Sequence, residues 1–457
     1  MKHKFFPSFI TTILVLAITC LSCCVLFVGC DRNEHEHIFA DYVSNNDATF
    51  FNDGTKTAKC KFEGCDALDT RVDEGSQIMT ELPIFSINTE GSVGITSKDD
   101  YVKCSVSLSN TDYEFAFADL EAKIKGRGNS TWRAPKKPYK LKFDKKVDLF
   151  GNGAAKTWTI LANYYDKSQI RNYLAFGVAS LFDSQSACTA THFVNLFVNN
   201  EFYGIYLIAE QIEVDDTRID IDESYSTVDT GYLVELDGRA KEEGVLDKDY
   251  FNLYGIDYAI KSPDTEDEDF TVEHVNFIKS YMADVMELFG ENKDWDALCQ
   301  LIDVRSFAEN YIVEEVFHNA DVRFSSFYMY KKAQGKLYAG PVWDFDLSSG
   351  FYLYDIPDYY YNAEAHYACK VNVWYEGLMQ YDQFKQLVAE ILDDKAEEIA
   401  EKIDQLTTLV LSLESSFVNE FMVWEQSSIG WKTEVNNLKD WLLASVNFLK
   451  NDYAQYL

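Results

Sequence analysis

The reading of the fold turns on KIKGRGNSTWRAPKKPYKLKF, residues 123–143. It opens on alternation, Ala122-Lys123-Ile124-Lys125, the mark of a half-buried strand. Two glycines then flank an arginine, Gly126-Arg127-Gly128, followed by Asn129, Ser130 and Thr131. Such a loop lets the backbone come close to a phosphate and surrounds it with donors. A GxG loop on its own is most often an ordinary turn. Lys140 and Lys142 follow, two positions apart, and residues two apart on a strand share one face. A lysine-bearing strand facing a glycine loop from the preceding segment suits the phosphates of ATP. The same residues also suit a solvated edge strand protected by lysines.

The surrounding composition makes this basic cluster informative. The chain has 457 residues, 41 basic and 75 acidic, for a net charge of −34. A field of that sign repels nucleic-acid phosphates, so no nucleic-acid partner is expected. At 47% hydrophobic and 25% charged residues the composition is that of a globular protein with a sizeable core. The length allows two or three domains, or one large domain with an appendage.

Upstream, Tyr101 to Leu108 alternates as a strand. Downstream, Trp158 to Ala162 is an apolar strand leading to a polar turn, where Ser168 is placed to cap a helix beginning near Gln169. Residues 193–208 read as a hairpin around Asn199-Asn200-Glu201, ending at Glu210-Gln211. Residues 302–317 carry apolar positions at helical spacing and end in a polar corner, His318-Asn319-Ala320-Asp321. Two short strands then run into Asp344-Phe345-Asp346. An Asp-x-Asp pair at a strand end offers the hard oxygen ligands that Mg²⁺ takes together with substrate phosphates. Asp321, on a separate loop, is available to orient or deprotonate a hydroxyl. Taken alone, such a pair is more often a turn. The tail reads as a helix over residues 383–423 and another over 433–456, with Tyr352, Tyr354, Tyr359, Tyr360 and Tyr361 in a loop before them.

Lys2 and Lys4, an apolar run to Gly29, and the polar stretch after Cys30 describe a secretory signal in residues 1–30. Gly29-Cys30 is similar to a bacterial lipobox, which would lipidate Cys30; an uncleaved anchor helix and simple secretion are the alternatives. All three place the remainder outside the cytoplasm, on the membrane or secreted. Residues 31–75 form a small polar module with His35, His37, Cys60 and Cys65. Two His and two Cys make a plausible zinc set; a Cys60–Cys65 disulfide, or no site, are the other readings.

Six blocks, KIKGRGNSTWRAPKKPYKLKFDKK, TWTILANYYDKSQIRNYLA, FVNLFVNNEFYGIYLIAEQIEV, GYLVELD, FHNADVRFSSFYMYK and GPVWDFDLSSG, resemble the CotH (spore coat protein H) kinase family, in order over about residues 80–445. Residues 446–457 then finish the C-terminal helix. The resemblance implies an α+β, divergent protein-kinase-like fold with C-terminal helices. It also implies an atypical protein kinase that transfers the γ-phosphate of ATP, with Mg²⁺ or Mn²⁺, to serine or threonine of a surface or coat protein. Carried over by motif, Asp321 is the catalytic aspartate, and Asp344 and Asp346 hold the metal. Lys142, or alternatively Lys140, contacts phosphate, with Arg127, Asn129 and Ser130 in the phosphate-side loop. Glu210 is the candidate partner of that lysine. Protein kinases place Asn five residues after the catalytic Asp to hold a second metal; here that position is Ser326. The competing reading is therefore a surface-anchored binding protein that keeps the fold without catalysis.

Overall fold

A computed structural model describes residues 35–457 apart from 46, 49–51, 78, 79, 245, 292, 354 and 425. The signal segment with Cys30, and Tyr354, lie outside the described residues. The chain divides into two compact units, Met1–Thr80 and Glu81–Leu457. No helix among the described residues is long and apolar enough to cross a membrane.

The first unit holds three short strands, β1 (Val43–Ser44), β2 (Thr55–Lys59) and β3 (Leu68–Val72), in one antiparallel sheet. The second unit is α+β. Its first half is a closed seven-stranded barrel: β4 (Ile84–Thr89), β5 (Val102–Ser109), β6 (Phe117–Gly126), β7 (Tyr139–Asp148), β8 (Ala154–Leu161), β9 (Thr191–Val198) and β10 (Glu201–Glu210). Neighbours are antiparallel except β4 and β9, whose parallel pairing closes the barrel. Alternate residues point inward, so Phe85, Ile87, Val106, Ile124, Leu141, Trp158, Ile160 and Leu196 fill the interior. Asn199 and Asn200 form the β9–β10 turn with φ of 51° and 67°, the left-handed pair a tight hairpin needs.

The second half packs helices on a five-stranded antiparallel sheet ordered β12-β13-β11-β14-β15. Its strands are β11 (Tyr232–Leu236), β12 (Tyr250–Leu253), β13 (Ile256–Ser262), β14 (Phe327–Lys331) and β15 (Leu337–Ala339). The helices are α1 (Arg171–Ala179), α2 (Ala240–Glu243), α3 (Val272–Glu287), α4 (Trp295–Leu301) and α5 (Val304–Phe317). They continue with α6 (Ala368–Val371), α7 (Val373–Leu378), α8 (Asp382–Ser412), α9 (Glu414–Val423) and α10 (Trp431–Tyr453). Buried on every side from Ser306 to Phe317, α5 is the central helix of this half. Asp303 caps it, accepting from the Ser306 amide at 2.8 Å.

Two local expectations need correction. Ser168 does not cap α1: Asp166 accepts from the Arg171 amide at 2.9 Å and from the Ser168 amide at 2.9 Å, because a carboxylate can bridge both. The helix expected over 383–423 is two helices, interrupted at Leu413. In α10, Leu449 and Tyr453 are buried in the same core as α5, so the chain beyond 445 belongs to this unit.

One buried ion pair fastens the barrel to the C-terminal helices. Lys136 and Glu420 of α9 are each 1% exposed, with Nζ and Oε1 2.5 Å apart. Lys136 also donates to the Ile205 carbonyl, and Glu420 accepts from the Ile205 amide at 2.6 Å. Gly204 makes room: a Cβ there would lie 1.9 Å from Glu420 Oε2. Burial lowers the lysine pKa and raises that of the carboxyl despite their attraction. Removing one partner strands the other, so Lys136→Met is expected to lower the unfolding free energy by about 3–5 kcal/mol. The Lys136→Met/Glu420→Gln double variant recovers part of that loss. Urea denaturation of the three proteins checks it.

Candidate functional site

The residues of the 123–143 stretch enter one cleft of about 360 Å³ within the second unit, a volume suited to a small molecule. One wall is the end of β6, the loop after it and the start of β7. Both loop glycines are obligatory. A Cβ on Gly126 would lie 2.3 Å from the Trp132 ring, and Gly128 has φ +79° with Thr131 Oγ1 2.2 Å from its would-be Cβ. The Arg127 amide donates to the Pro138 carbonyl at 3.2 Å, which closes the loop onto β7. The Arg127 guanidinium lies 5.3 Å from the Trp343 ring centroid, a cation–π distance. Burial lowers its pKa, opposed by Asp344, Tyr328, Asp346 and Glu235. Asn129 is held from two sides, by Lys98 at 3.0 Å and by Glu243 at 3.1 Å. Ser130 lines the same wall.

Lys140 also lines the cleft, with Lys98 and Lys125. Its pKa is lowered to about 8: burial is the main cause, Glu213 opposes it, and Lys125, Arg127 and Lys142 add repulsion. Lys142, the first choice from sequence, is exposed on the same strand and is not part of the cleft wall. Glu210 is no partner for either lysine. It is buried against Arg218 at 3.7 Å and accepts from the Ala190 amide at 3.2 Å, outside the cleft.

The opposite wall is acidic. α5 ends at His318 in a left-handed conformation, φ 44°, which turns the chain into the short turn Asp321–Arg323. The Asp321 amide donates to Asn319 Oδ1 at 3.1 Å. Asp344 has φ +63°, a costly backbone for a residue with a Cβ. Its neighbours are tied down: the Phe345 amide donates to Asn172 Oδ1 at 2.8 Å, Arg171 Nε to the Ser348 carbonyl at 3.0 Å, and the Ala320 amide to the Leu347 carbonyl at 3.0 Å. The start of α1 and the end of α5 therefore hold the Asp344–Asp346 segment between them.

The carboxylates crowd. Asp321 is raised to about 7, first by burial and then by Asp344, with Arg239 and Arg323 opposing. Burial raises Asp344 as well, against Arg127 and Arg239. Asp346 is pushed well up by burial, then by Asp344 and Asp321. Carboxyls that resist ionisation in this way gain when a cation joins them. Ser326, at φ +61°, lines the cleft and donates its amide to Glu235 Oε1 at 3.0 Å.

Several lining residues escaped the sequence reading. Glu235 and Asp237 sit two apart at the end of β11, Glu235 pairing with Lys261 at 2.8 Å and Asp237 with Arg239 at 3.2 Å. Asn163 and Asn172 join the floor, bonded to each other at 3.1 Å. The available signal was an acidic pair at period two closing an apolar strand. In the aromatic loop, Tyr360 is buried and donates to the Phe351 carbonyl at 2.7 Å, so it is core. Tyr352 accepts from Arg323 beside Asp321 at 3.3 Å. His35, His37, Cys60 and Cys65 gather separately, in the first unit.

The model of the family described as CotH kinase protein matches residues 124–448, a span that includes the cleft-lining residues from Lys125 to Leu347. No curated protein matches the chain. A match over well more than half of its length decides the classification: the chain belongs to the CotH kinase protein family.

Proposed function

We propose that the protein is a metal-dependent protein kinase that transfers the γ-phosphate of ATP to serine or threonine of a surface or coat protein. The observation that carries this reading is the meeting, in one cleft, of a basic glycine loop and strand with three crowded carboxylates. The two-part layout, a β-rich half and a mainly helical half with the cleft between, supports a divergent kinase-like fold.

The donor set fits ATP and Mg²⁺ or Mn²⁺. Hard oxygens come from Asp344 and Asp346, whose carboxyls burial holds towards the neutral form, so that a bound cation would favour their ionisation. Bound there, ATP and the metal supply the transferable phosphoryl group and neutralise its developing charge. Arg127, Lys140 and the polar atoms of Asn129 and Ser130 hold phosphate oxygens, and Lys98 and Lys125 add to the positive wall. Asp321 accepts the proton of the acceptor hydroxyl; a carboxyl with a pKa of about 7 is close to the value favoured for a base at neutral pH. Arg239 and Arg323 keep its ionised form accessible.

One observation favours the second reading, a surface binding protein without catalysis. Ser326 stands where a second metal ligand is usual, with its amide fixed by Glu235, and a hydroxyl is a weaker ligand than an amide oxygen. Membrane attachment through residues 1–30 remains part of the proposal, which places the kinase outside the cytoplasm.

With γ-labelled ATP and Mg²⁺ or Mn²⁺, the purified protein is expected to label itself or a serine-rich acceptor. Asp344→Asn abolishes labelling, and Asp321→Asn lowers kcat by about 10²–10⁴-fold with little change in KM for ATP. No labelling, together with no ATP-dependent rise in Tm, leaves the binding-protein reading standing.

A pH series isolates Lys140. Its lowered pKa means that the charge is present below about 8 and is lost as pH rises through that value. KM for ATP is therefore expected to climb above pH 8 in the native protein. In Lys140→Met it is high throughout and has lost that rise. An unchanged alkaline limb in the variant overturns the role given to Lys140.

A further inference from the structure

The first unit has almost nothing to hold it together by burial. Its three strands are largely exposed, and among the described residues the only buried apolar side chains are Ala58, Cys60 and Cys65. A module of this size without a core needs a covalent or metal staple. Cys60 and Cys65 are free cysteines in the structure.

The local chain instead brings four soft ligands together. Cys60 follows β2 directly, and its amide donates to the Ala67 carbonyl at 2.9 Å. A tight turn through Gly64, φ +82°, returns the chain, with the Cys65 amide donating to the Phe62 carbonyl at 3.1 Å. The segment bearing the histidines runs alongside: Phe39 bridges to Cys60, and the Lys61 amide donates to the Ile38 carbonyl at 2.9 Å. His35 and His37, two apart on that extended segment, project to one side.

Cys60 Sγ lies 3.6 Å from His35 Nε2, and Cys65 Sγ lies 3.5 Å from His37 Nδ1. All four ligand atoms are within 4.8 Å of one another. A tetrahedral centre with Zn–S of about 2.3 Å and Zn–N of about 2.0–2.1 Å has S···N edges of about 3.6 Å. Both of these S···N distances match those edges. The four-residue gap between the cysteines falls within the usual zinc-knuckle spacing. His35 rests on Phe62 at 4.3 Å and His37 stacks with Phe39 at 5.8 Å, which orients both rings.

We propose that His35, His37, Cys60 and Cys65 form a closed, structural zinc site that takes the place of a hydrophobic core in the N-terminal module. Two thiolates and two imidazoles select zinc among the common divalent ions and leave no open position for catalysis. The site is independent of the kinase reading, since it lies in the other unit.

The test uses the full chain purified without added metal. Elemental analysis is expected to find one zinc per chain, reduced to background in Cys60→Ser/Cys65→Ser. Replacing zinc by Co²⁺ in the native protein gives thiolate-to-cobalt charge-transfer and intense tetrahedral bands. Chelation exposes residues 35–75 to protease while leaving the second unit resistant. The cobalt readout serves if the double variant fails to fold. A metal-free native protein with reduced thiols overturns the proposal, as does a Cys60–Cys65 disulfide in peptide mapping or zinc retained by the double variant.

Discussion

The crowding of three buried carboxyls is the constraint on which the cleft depends. Burial raises the pKa of all three, Asp344 adds to the rise in Asp321 and Asp346, and Asp321 adds to that in Asp346. Such a group spreads apart unless the backbone forbids it. Here it does: α5 stops at a left-handed His318, the Phe345 amide is fastened to Asn172, and the Arg171 guanidinium holds the Ser348 carbonyl. The left-handed Asp344 is strain held in place by those bonds. Arg127 and Arg239 offset part of the charge on Asp344, and the remainder is what a bound cation would neutralise.

The other wall obeys the opposite sign. Lys125 and Lys140 are directly opposed across β6 and β7, and Lys123 and Lys142 likewise. Like charges in register weaken a sheet. Lys123 and Lys125 both lie over the Tyr101 ring, at 4.6 and 4.9 Å, which relieves some of that cost. A chain with net charge −34 thus concentrates cations on one hairpin and faces them across the cleft with its densest acids.

Much of this was readable in the residues, for identifiable reasons. Alternation exposed β6 and β7, and the Asp-x-Asp at a strand end exposed one acidic wall, because both signals are local. Choosing between Lys140 and Lys142 was not local. Two residues along a strand move a side chain by about 7 Å without changing its face, and only the end of the hairpin reaches the cleft. Glu210 was given to the lysine because its own partner, Arg218, is reached only after the chain leaves β10. Glu235 and Asp237 looked like any acids closing a strand, and their place in the site depends on how β11 pairs with β13 and β14. The parallel contact of β4 with β9 spans about a hundred residues and leaves no trace in sequence period.

The pair formed by Lys136 and Glu420 bears on how the chain can be divided. It joins residues 284 apart, so the barrel lacks one of its internal partners until the last hundred residues exist. A growing chain would present Lys136 to water, without its carboxylate partner, until α9 has been made. The barrel is for the same reason a poor unit for recombination: moved to another protein without α9, it would leave Lys136 without its carboxylate and the Ile205 amide without its acceptor.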